Sequence, residues 1–439
     1  MRGWFKFVLL LLAVNFAAGA RAADPDPVFK ARAEELVGVL NGTADLERVF
    51  SPAFLAQVPA AQVKQIGVQL TAAHGTARRV AAVTPAGPLA GTVSIDMERA
   101  VVRMEMRLGP APPHFVEGLL VTGVEAKGGT VAGVAAQISS LPGEVSLAAA
   151  RLGAGTPQLF LTRKAEQPLA IGSAFKLFIL AELVREVKAG ERRWTDVVPL
   201  GTPSLPSGFL QRWPKGAPLT LHSLAALMIS QSDNTAADTL LAVLGREKVE
   251  RLLPALGIHA PDRLRPFLST REAFLLKAGP ASLRTRWAAA GTAERRKMLA
   301  QELARGDVNA IDPGLFAEAP LAIAEVEWFA STADIVRALD WLRRSGDRSA
   351  LAILAVNPGI PDLAGPYDYV GYKGGSEGGV LNLSFLLRRK DGVWLAASAS
   401  WNDTAARLDE GRLIAAMSRL LALLAEGELP QQPSAAARP

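Results

Sequence analysis

Predicted strands at both ends of a long helix-rich stretch constrain the fold of this chain more than any other feature. Short apolar runs bounded by turn residues predict strands at residues 145–152, 158–162, 369–373, 380–387 and 393–398. Residues 174–304, between the second and third of these strands, have helical patterns, and a helix over 409–424 ends the region. One sheet must therefore take strands from both ends of this domain and pack helices against its faces.

The preceding part of the chain, residues 23–127, is predicted to be a small α+β domain. Apolar residues at helical spacing predict helices at 29–40 and 60–73. Between residues 93 and 108 apolar residues alternate with polar ones, which predicts a hairpin with one apolar face, and a further strand is expected at 117–124. Helices on a curved antiparallel sheet in this order resemble the steroid-isomerase-like (NTF2-like) cone. A linker is predicted at 128–144.

The composition excludes several classes of chemistry. The chain has 439 residues and no cysteine, so disulfides, thiolate metal sites and cysteine nucleophiles are excluded. It has only four histidines, so a metal site built from several histidines is not expected. No metal or other cofactor is expected. His222 and His259 are interpreted as helix-surface or loop residues, and no Ser-His-Asp set is expected. The 49% of apolar residues and 21% of charged residues are typical of a chain that buries a large core.

Residues 1–22 have the pattern of a signal peptide. Basic residues precede a short apolar run, residues 7–16, and a small-x-small cleavage site ends at Ala22. Cleavage would remove three basic residues and lower the formal net charge from +6 to +3, so no nucleic-acid partner is expected. We expect an exported protein, periplasmic or secreted, without a stable membrane span after cleavage; an uncleaved anchor is the alternative. A flexible tail is predicted at 426–439.

The first candidate for chemistry is Ser173-Ala174-Phe175-Lys176, at the start of an apolar helix. Residues three apart share a helix face, so Lys176 is expected beside the hydroxyl of Ser173. A serine hydroxyl needs a base within hydrogen-bond reach, and a lysine becomes that base when burial lowers its pKa. The same pattern also fits a helix cap followed by a solvated lysine.

Two further motifs follow in the chain. Ser232-Asp233-Asn234 lies between two apolar helices, where it also fits a turn that caps the second helix. Lys373-Gly374-Gly375 and Ser376 end a predicted strand, where glycines also fit a bulge. Each motif alone has an ordinary structural interpretation. Their combination and order favour a single catalytic site.

The three motifs together resemble the Ser-x-x-Lys, Ser-Asp-Asn and Lys-Thr-Gly signatures of class A β-lactamases and penicillin-binding proteins. The resemblance implies an α/β β-lactamase-like domain over residues 145–425, with an antiparallel sheet flanked by helices and an all-α subdomain. Relatives that pair a steroid-isomerase-like domain with a β-lactamase-like domain exist, and this chain looks like them.

The resemblance also implies a catalytic role for four residues. Ser173 would be the acylated nucleophile, and Lys176 would be its general base. Ser232 would relay a proton to the leaving group. Lys373 would supply positive potential to a substrate carboxylate and to Ser232.

Four further residues would bind substrate or support the site by the same resemblance. Asn234 would hold a substrate amide carbonyl, and Gly375 and Ser376 would belong to the substrate-binding segment. The backbone N–H groups of Ser173 and Ser376 would form the oxyanion hole. Asp233 is expected to brace its loop rather than to react.

The chain also departs from this family pattern. Gly374 replaces the hydroxyl residue of Lys-Thr-Gly, and a helical insert at about 279–326 is expected to build over the cleft. The Glu-x-x-Leu-Asn loop, which carries the deacylating glutamate in class A enzymes, is absent from the sequence. Glu272 lies in the corresponding stretch, but with Ser269 it forms the pattern of a capping box at a helix N-terminus.

The sequence therefore predicts an exported serine hydrolase that acts on a small-molecule β-lactam, ester or peptide-like substrate through an acyl-enzyme, with slow deacylation. One alternative is a D-alanyl-D-alanine peptidase or esterase acting on cell-wall peptide. Another is a non-hydrolytic protein that binds β-lactams or peptidoglycan fragments.

Overall fold

The computed structural model describes residues 26–312, 314–360, 363 and 365–427. The predicted signal peptide, residues 1–22, lies outside the described residues. The predicted tail at 426–439 also lies outside them, except for Glu426 and Gly427. The chain forms two compact units, which divide between Gly128 and Gly129.

The first unit has helices followed by an antiparallel sheet. Its helices are α1 (Pro27–Leu40), α2 (Leu46–Val49), α3 (Pro52–Gln57) and α4 (Ala60–His74), and its strands are β1 (Ala77–Gly87), β2 (Ala90–Met97), β3 (Ala100–Leu108) and β4 (Val116–Ala126). The strands pair in sequence order, β1-β2-β3-β4. The predicted hairpin is present as β2 and β3, with Val93 opposite Met104.

Burial in the first unit follows the alternation of the sequence. Val93, Ile95 and Met97 of β2 are buried, and the residues between them are partly exposed. These side chains form one core with Phe29 and Leu36 of α1. Strand β1 was not predicted from the sequence, because it buries little of its length and therefore lacks a continuous apolar alternation.

The second unit carries the three motifs. Its helices are α5 (Val131–Ser139), α6 (Lys176–Lys188), α7 (Leu221–Ser230), α8 (Asn234–Leu244), α9 (Arg246–Leu252), α10 (Thr270–Ala278), α11 (Ala281–Ala289), α12 (Thr292–Met298), α13 (Leu315–Glu318), α14 (Thr332–Ser345), α15 (Arg348–Leu354) and α16 (Glu410–Ala425). Its strands are β5 (Glu144–Leu152), β6 (Gln158–Arg163), β7 (Leu169–Ala170), β8 (Val197–Pro199), β9 (Pro218–Thr220), β10 (Phe329–Ala330), β11 (Tyr367–Tyr372), β12 (Gly375–Glu377), β13 (Val380–Arg389) and β14 (Trp394–Asn402).

The main sheet of this unit takes strands from both ends of the domain, as the sequence predicts. Its order is β11-β13-β14-β5-β6, all antiparallel, and β12 pairs with β13. One face packs against α5 and α16, and the other packs against α14 and α6. Side chains alternate along a strand, so Leu147 of β5 packs in the core on the α5 and α16 face, and Ala148 packs in the core on the α14 and α6 face.

The predicted linker at 128–144 requires a correction. Residues 131–139 form helix α5, and Thr130 caps it by accepting a hydrogen bond from Gly133 N at 3.1 Å. Val131, Val134 and Ile138 are buried in the core that α16 also enters. The apolar spacing of one face thus makes this segment part of the second unit, although glycines precede and follow it.

Among the described residues, no helix combines the length and apolar character that crossing a membrane requires.

Candidate active site

Ser173 lies in a one-turn 3-10 helix, Gly172–Phe175, which we call the serine turn and which leads directly into α6. Gly172 has φ +48°, a left-handed conformation that favours glycine. A Cβ atom on Gly172 would also lie 3.2 Å from the backbone nitrogen of Ser376. A glycine here therefore allows both the turn and the close approach of β12.

Lys176 is fully buried, and its ammonium group makes hydrogen bonds to Ser173 of its own motif and to the Ser232-Asp233-Asn234 motif. Its Nζ atom donates to Ser173 Oγ at 3.0 Å and to Asn234 Oδ1 at 2.7 Å. The same atom lies 3.1 Å from Ser232 Oγ and 2.5 Å from the Ser232 carbonyl oxygen. The expected neighbours of Ser173 are thus assembled around one ammonium group.

Burial lowers the pKa of Lys176 well below its usual value, and the positive charge of Lys373 lowers it further. Asp238 and Asp233 act in the opposite direction with smaller effects. The neutral amine, which can accept a proton from a hydroxyl, is therefore accessible in this environment.

Ser232 is held in a strained backbone conformation between α7 and α8. Its φ is +54°, which is uncommon for a residue with a side chain and typical of functional sites. Asp233 supports this loop: its Oδ2 accepts hydrogen bonds from Phe209 N and Leu210 N, and its Oδ1 accepts one from Ala236 N. Asp233 thus braces the loop from within, and its carboxylate oxygens are already occupied.

Lys373 follows strand β11 and reaches the same hydroxyl group from the other side. Its Nζ lies 3.0 Å from Ser232 Oγ and 2.6 Å from the carbonyl oxygen of Gly374. Burial lowers the pKa of Lys373 to about 7. Ser232 Oγ therefore bridges two lysines, each of which favours its neutral form more than an exposed lysine does.

Close packing explains why glycine occupies both positions after Lys373. A Cβ atom on Gly374 would lie 2.1 Å from the Tyr372 hydroxyl and 2.6 Å from the carbonyl oxygen of Asn382, so no hydroxyl side chain fits there without a shift. A Cβ on Gly375 would lie 2.2 Å from the backbone nitrogen of Ser173. Gly375 thus lets β12 lie directly against the serine turn.

A cavity of about 450 Å³ opens over these residues. Ser173, Ser232, Lys373 and Ser376 line it, together with Glu410 and Ile414 of α16. None of the described residues of the predicted insert, 279–312 and 314–326, lines this cavity. The last part of the insert instead packs against the turn after β12, where a Cβ on Gly378 would meet the Ala319 carbonyl oxygen at 3.0 Å.

Asn234, which was predicted to hold a substrate amide carbonyl, lies in the cluster with both polar atoms of its side chain hydrogen-bonded within the protein. It is 5% exposed and is not part of the cavity lining. Its Oδ1 accepts from Lys176 Nζ, and its Nδ2 donates to the Leu205 carbonyl oxygen at 3.0 Å. In this structure its polar atoms hold Lys176 and the neighbouring loop.

The capping box expected at Ser269 and Glu272 is present at the start of α10. Glu272 Oε2 accepts from Ser269 N at 2.8 Å, and Glu272 Oε1 accepts from Arg246 Nη2 at 2.7 Å. Both carboxylate oxygens of Glu272 are therefore engaged, and the residue does not line the cavity.

Two acidic residues near the site, Asp238 and Glu410, were not predicted from the sequence. Asp238 lies one helical turn after Asn234, and its carboxylate accepts from Thr270 N at 2.7 Å and Arg271 N at 2.9 Å. Burial raises the pKa of Asp238 to about 6. The i, i+4 spacing from Asn234 could have indicated Asp238. Glu410, which lines the cavity, had no local signal in the sequence.

Among the described residues, one cluster of metal-ligand side chains has suitable spacing: Glu166, His259 and Asp334. The Arg337 guanidinium already contacts all three, with Nη2 2.9 Å from Glu166 and 2.6 Å from Asp334. A cation therefore occupies the position that a metal would take. His222 and His259 are both exposed.

The chain belongs to the beta-lactamase enzyme family, a family of hydrolases. The family model matches residues 131–422, which include α5, the main sheet and all three motifs. No curated protein matches the chain.

Among solved structures, the chain is similar to a beta-lactamase from Sphaerobacter thermophilus DSM 20745, with 22% identity, a TM-score of 0.46, and coverage of 69% of this chain and 98% of that one. A beta-lactamase from Chitinophaga pinensis DSM 2588 has 17% identity, a TM-score of 0.46, and coverage of 68% and 97%. PBP-A has 15% identity, a TM-score of 0.46, and coverage of 68% and 96%.

Proposed function

We propose that this protein is an exported serine hydrolase that forms an acyl-enzyme through Ser173 with a β-lactam, ester or peptide-like substrate. One observation carries the proposal: the buried Lys176 Nζ lies 3.0 Å from Ser173 Oγ and 3.1 Å from Ser232 Oγ. This geometry supports a serine activated by a neutral lysine. The signal-peptide pattern of residues 1–22 supports export.

Acylation would begin when neutral Lys176 takes the proton of Ser173 and the serine oxygen attacks the substrate carbonyl. The backbone N–H groups of Ser173 and Ser376 would stabilise the oxyanion that develops on the carbonyl oxygen. Ser232 would then protonate the leaving nitrogen or oxygen, with its own proton replaced from Lys176 or Lys373. Because Ser232 lies within 3.1 Å of both ammonium groups, this relay needs no rearrangement of the side chains.

Deacylation would be slow in this proposal. Hydrolysis of an acyl-serine needs a positioned water and a base, and general-base catalysis contributes roughly 10²–10⁴-fold. The obvious carboxylate, Glu272, is bound by its own helix N-terminus and by Arg246. Lys176 would therefore have to serve in both half-reactions.

The test is intact-mass spectrometry after incubation with a panel of β-lactams and small esters. The proposal expects an adduct of one acyl group per chain, absent in Ser173→Ala. An unmodified wild-type protein across the whole panel would contradict it and favour a non-covalent binding role. Release of D-alanine from a cell-wall peptide, without turnover of β-lactams, would favour the peptidase alternative.

A further inference from the structure

A buried ion cluster lies next to the site and has no role in the chemistry proposed above. Lys277 of α10, Glu327 of the segment before β10 and Glu377 of β12 meet in it. Lys277 Nζ lies 2.6 Å from Glu327 Oε1 and forms a second ion pair with Glu377 Oε1. The side chains of Lys277 and Glu327 are each 2% exposed. Removing charges from water is unfavourable, so stability alone is a poor reason for this cluster.

Glu327 connects the cluster to the serine turn through Trp328. Glu327 Oε2 accepts from Trp328 N at 3.2 Å, and the Trp328 carbonyl oxygen accepts from Ile171 N at 3.0 Å. The Trp328 ring stacks on Phe175 with the ring centroids 3.8 Å apart. Trp328 therefore contacts the chain on both sides of Ser173.

Glu377 connects the cluster to the opposite side of the proposed oxyanion hole. It follows Ser376 in β12, where Ser376 is opposite Leu381 and Glu377 is opposite Val380 of β13. The backbone of this strand approaches the serine turn so closely that a Cβ on Gly172 would lie 3.2 Å from Ser376 N. A small displacement of β12 would therefore change the spacing of the N–H groups of Ser173 and Ser376.

We propose that Lys277 and Glu377 are positioning residues for the oxyanion hole. The ammonium group of Lys277 binds both carboxylates: that of Glu377, the residue after Ser376, and that of Glu327, the residue before Trp328. This inference rests on the proposed function, because it takes the N–H groups of Ser173 and Ser376 as the oxyanion donors. Lys277 does not line the cavity, so it acts through these backbone segments and not on the substrate.

The electrostatics of the cluster agree with this role. Burial and the neighbouring Glu327 carboxylate raise the pKa of Glu377, and the Lys277 ammonium acts in the opposite direction. The two carboxyl groups thus disfavour each other's charge, and Lys277 is the cation that holds them together. Misplacement of a catalytic group by about 1 Å can cost as much as ~10²-fold in rate.

Glu377→Ala is the main test variant, because it leaves Lys277 paired with Glu327 and releases β12. Glu377→Gln is the second variant, since it keeps the side-chain shape if the alanine protein does not fold. Glu186→Gln is the control: Glu186 is another carboxylate held by two cations, 1% exposed against 18% for Glu377, and Arg192 and Lys248 each bind it at 2.5 Å near the C-terminal end of α6. Thermal unfolding of each variant reports the loss of stability.

The functional readouts are the acylation rate constant of the full-length protein with benzylpenicillin and the infrared carbonyl band of the acyl-enzyme ester. Hydrogen bonds in an oxyanion hole lower this carbonyl frequency. We expect Glu377→Ala to lower the acylation rate constant by ~10- to 100-fold, with the dissociation constant changed less than about threefold, and to move the band to higher wavenumber. Glu377→Gln should give a smaller change in the same direction, and Glu186→Gln should leave the band in place.

An unchanged band and acylation rate in both Glu377 variants, with stability lowered as in Glu186→Gln, would overturn the inference and leave the cluster a structural one. That outcome would leave the proposed function intact, because the acyl-enzyme would still form. A wild-type protein that forms no acyl-enzyme would overturn the proposed function and this inference with it.

Discussion

Lys176 Nζ lies 3.0 Å from Ser173 Oγ, and the lysine side chain has no exposure to solvent. Burial and the charge of Lys373 lower the pKa of Lys176. These two facts give the serine a base that is unprotonated more readily than an ordinary lysine.

Replacement of the base should separate catalysis from binding. Lys176→Ala should lower the acylation rate constant by orders of magnitude, because nucleophile and base act as a unit. Stopped-flow acylation by a chromogenic β-lactam measures this constant, and saturation gives the dissociation constant separately. A loss of only a few-fold would show that another group deprotonates Ser173.

The pKa of Lys373, about 7, predicts a pH dependence of substrate recognition. Lys373 is positive below this pKa and neutral above it. Acylation by a penicillin, which bears a carboxylate, should therefore fall as the pH rises through about 7. A neutral ester lacks the charge that Lys373 attracts. The second-order rate constant for the penicillin, divided by that for the ester, should therefore fall over the same pH range. A constant ratio between pH 6 and pH 9 would remove Lys373 from carboxylate recognition.

The same shift predicts a pH dependence of stability. Between the folded pKa of about 7 and the unfolded value near 10.5, the unfolded chain binds more protons at Lys373 than the folded chain does. The destabilisation caused by burying this charge is therefore full below pH 7 and decreases as the pH rises to 10.5. Lys373→Met should be more stable than the wild type at pH 6, and the difference should shrink toward pH 10 in urea unfolding. A difference that does not depend on pH would contradict this assignment.

Glu272 should behave as a helix cap. Glu272→Gln should lower the free energy of unfolding by about 1 kcal/mol, because it weakens the capping box and the ion pair with Arg246. The deacylation rate should stay nearly unchanged. Rapid penicillin turnover that is lost in Glu272→Gln, with unchanged stability, would show that Glu272 activates the deacylating water.

Glu410 should oppose anionic substrates, since it lines the same cavity as Lys373. Burial raises its pKa, but above that pKa its carboxylate repels a substrate carboxylate. Glu410→Gln should raise the second-order acylation rate constant for benzylpenicillin by about fivefold, which corresponds to ~1 kcal/mol of repulsion. The constant for a neutral ester should not change, and an equal gain for both substrates would assign Glu410 a steric role.

Local patterns were sufficient for much of the fold. The alternation around Val93 predicted the hairpin of β2 and β3, and strands separated by a long helical stretch predicted a sheet built from both ends of the second unit. Strand β1 and helix α5 were missed for physical reasons. The first is an edge strand with little buried surface, and the second is a nine-residue helix between glycines whose apolar face is used only in tertiary packing.

Motif spacing also predicted which residues lie together, because Ser173 and Lys176 are one helical turn apart and Ser232 and Lys373 come from the other two motifs. The sequence could not show that the Asn234 side chain is hydrogen-bonded to Lys176 Nζ and to the Leu205 carbonyl oxygen. Nor could it show the cluster of Lys277 and Glu377, which are separated by 100 residues and meet only in the folded protein. Such long-range pairs leave no periodic pattern in the chain.

The central claim is that Ser173 is acylated readily and deacylated slowly. The most direct measurement is a time course of intact-mass spectrometry and nitrocefin hydrolysis on the same full-length sample. We predict a burst close to one equivalent of product, a matching adduct on nearly every chain, and a slow steady state, with burst and adduct both absent in Ser173→Ala. Rapid turnover without an accumulated adduct would contradict slow deacylation, and an adduct that persists in Ser173→Ala would contradict the nucleophile itself.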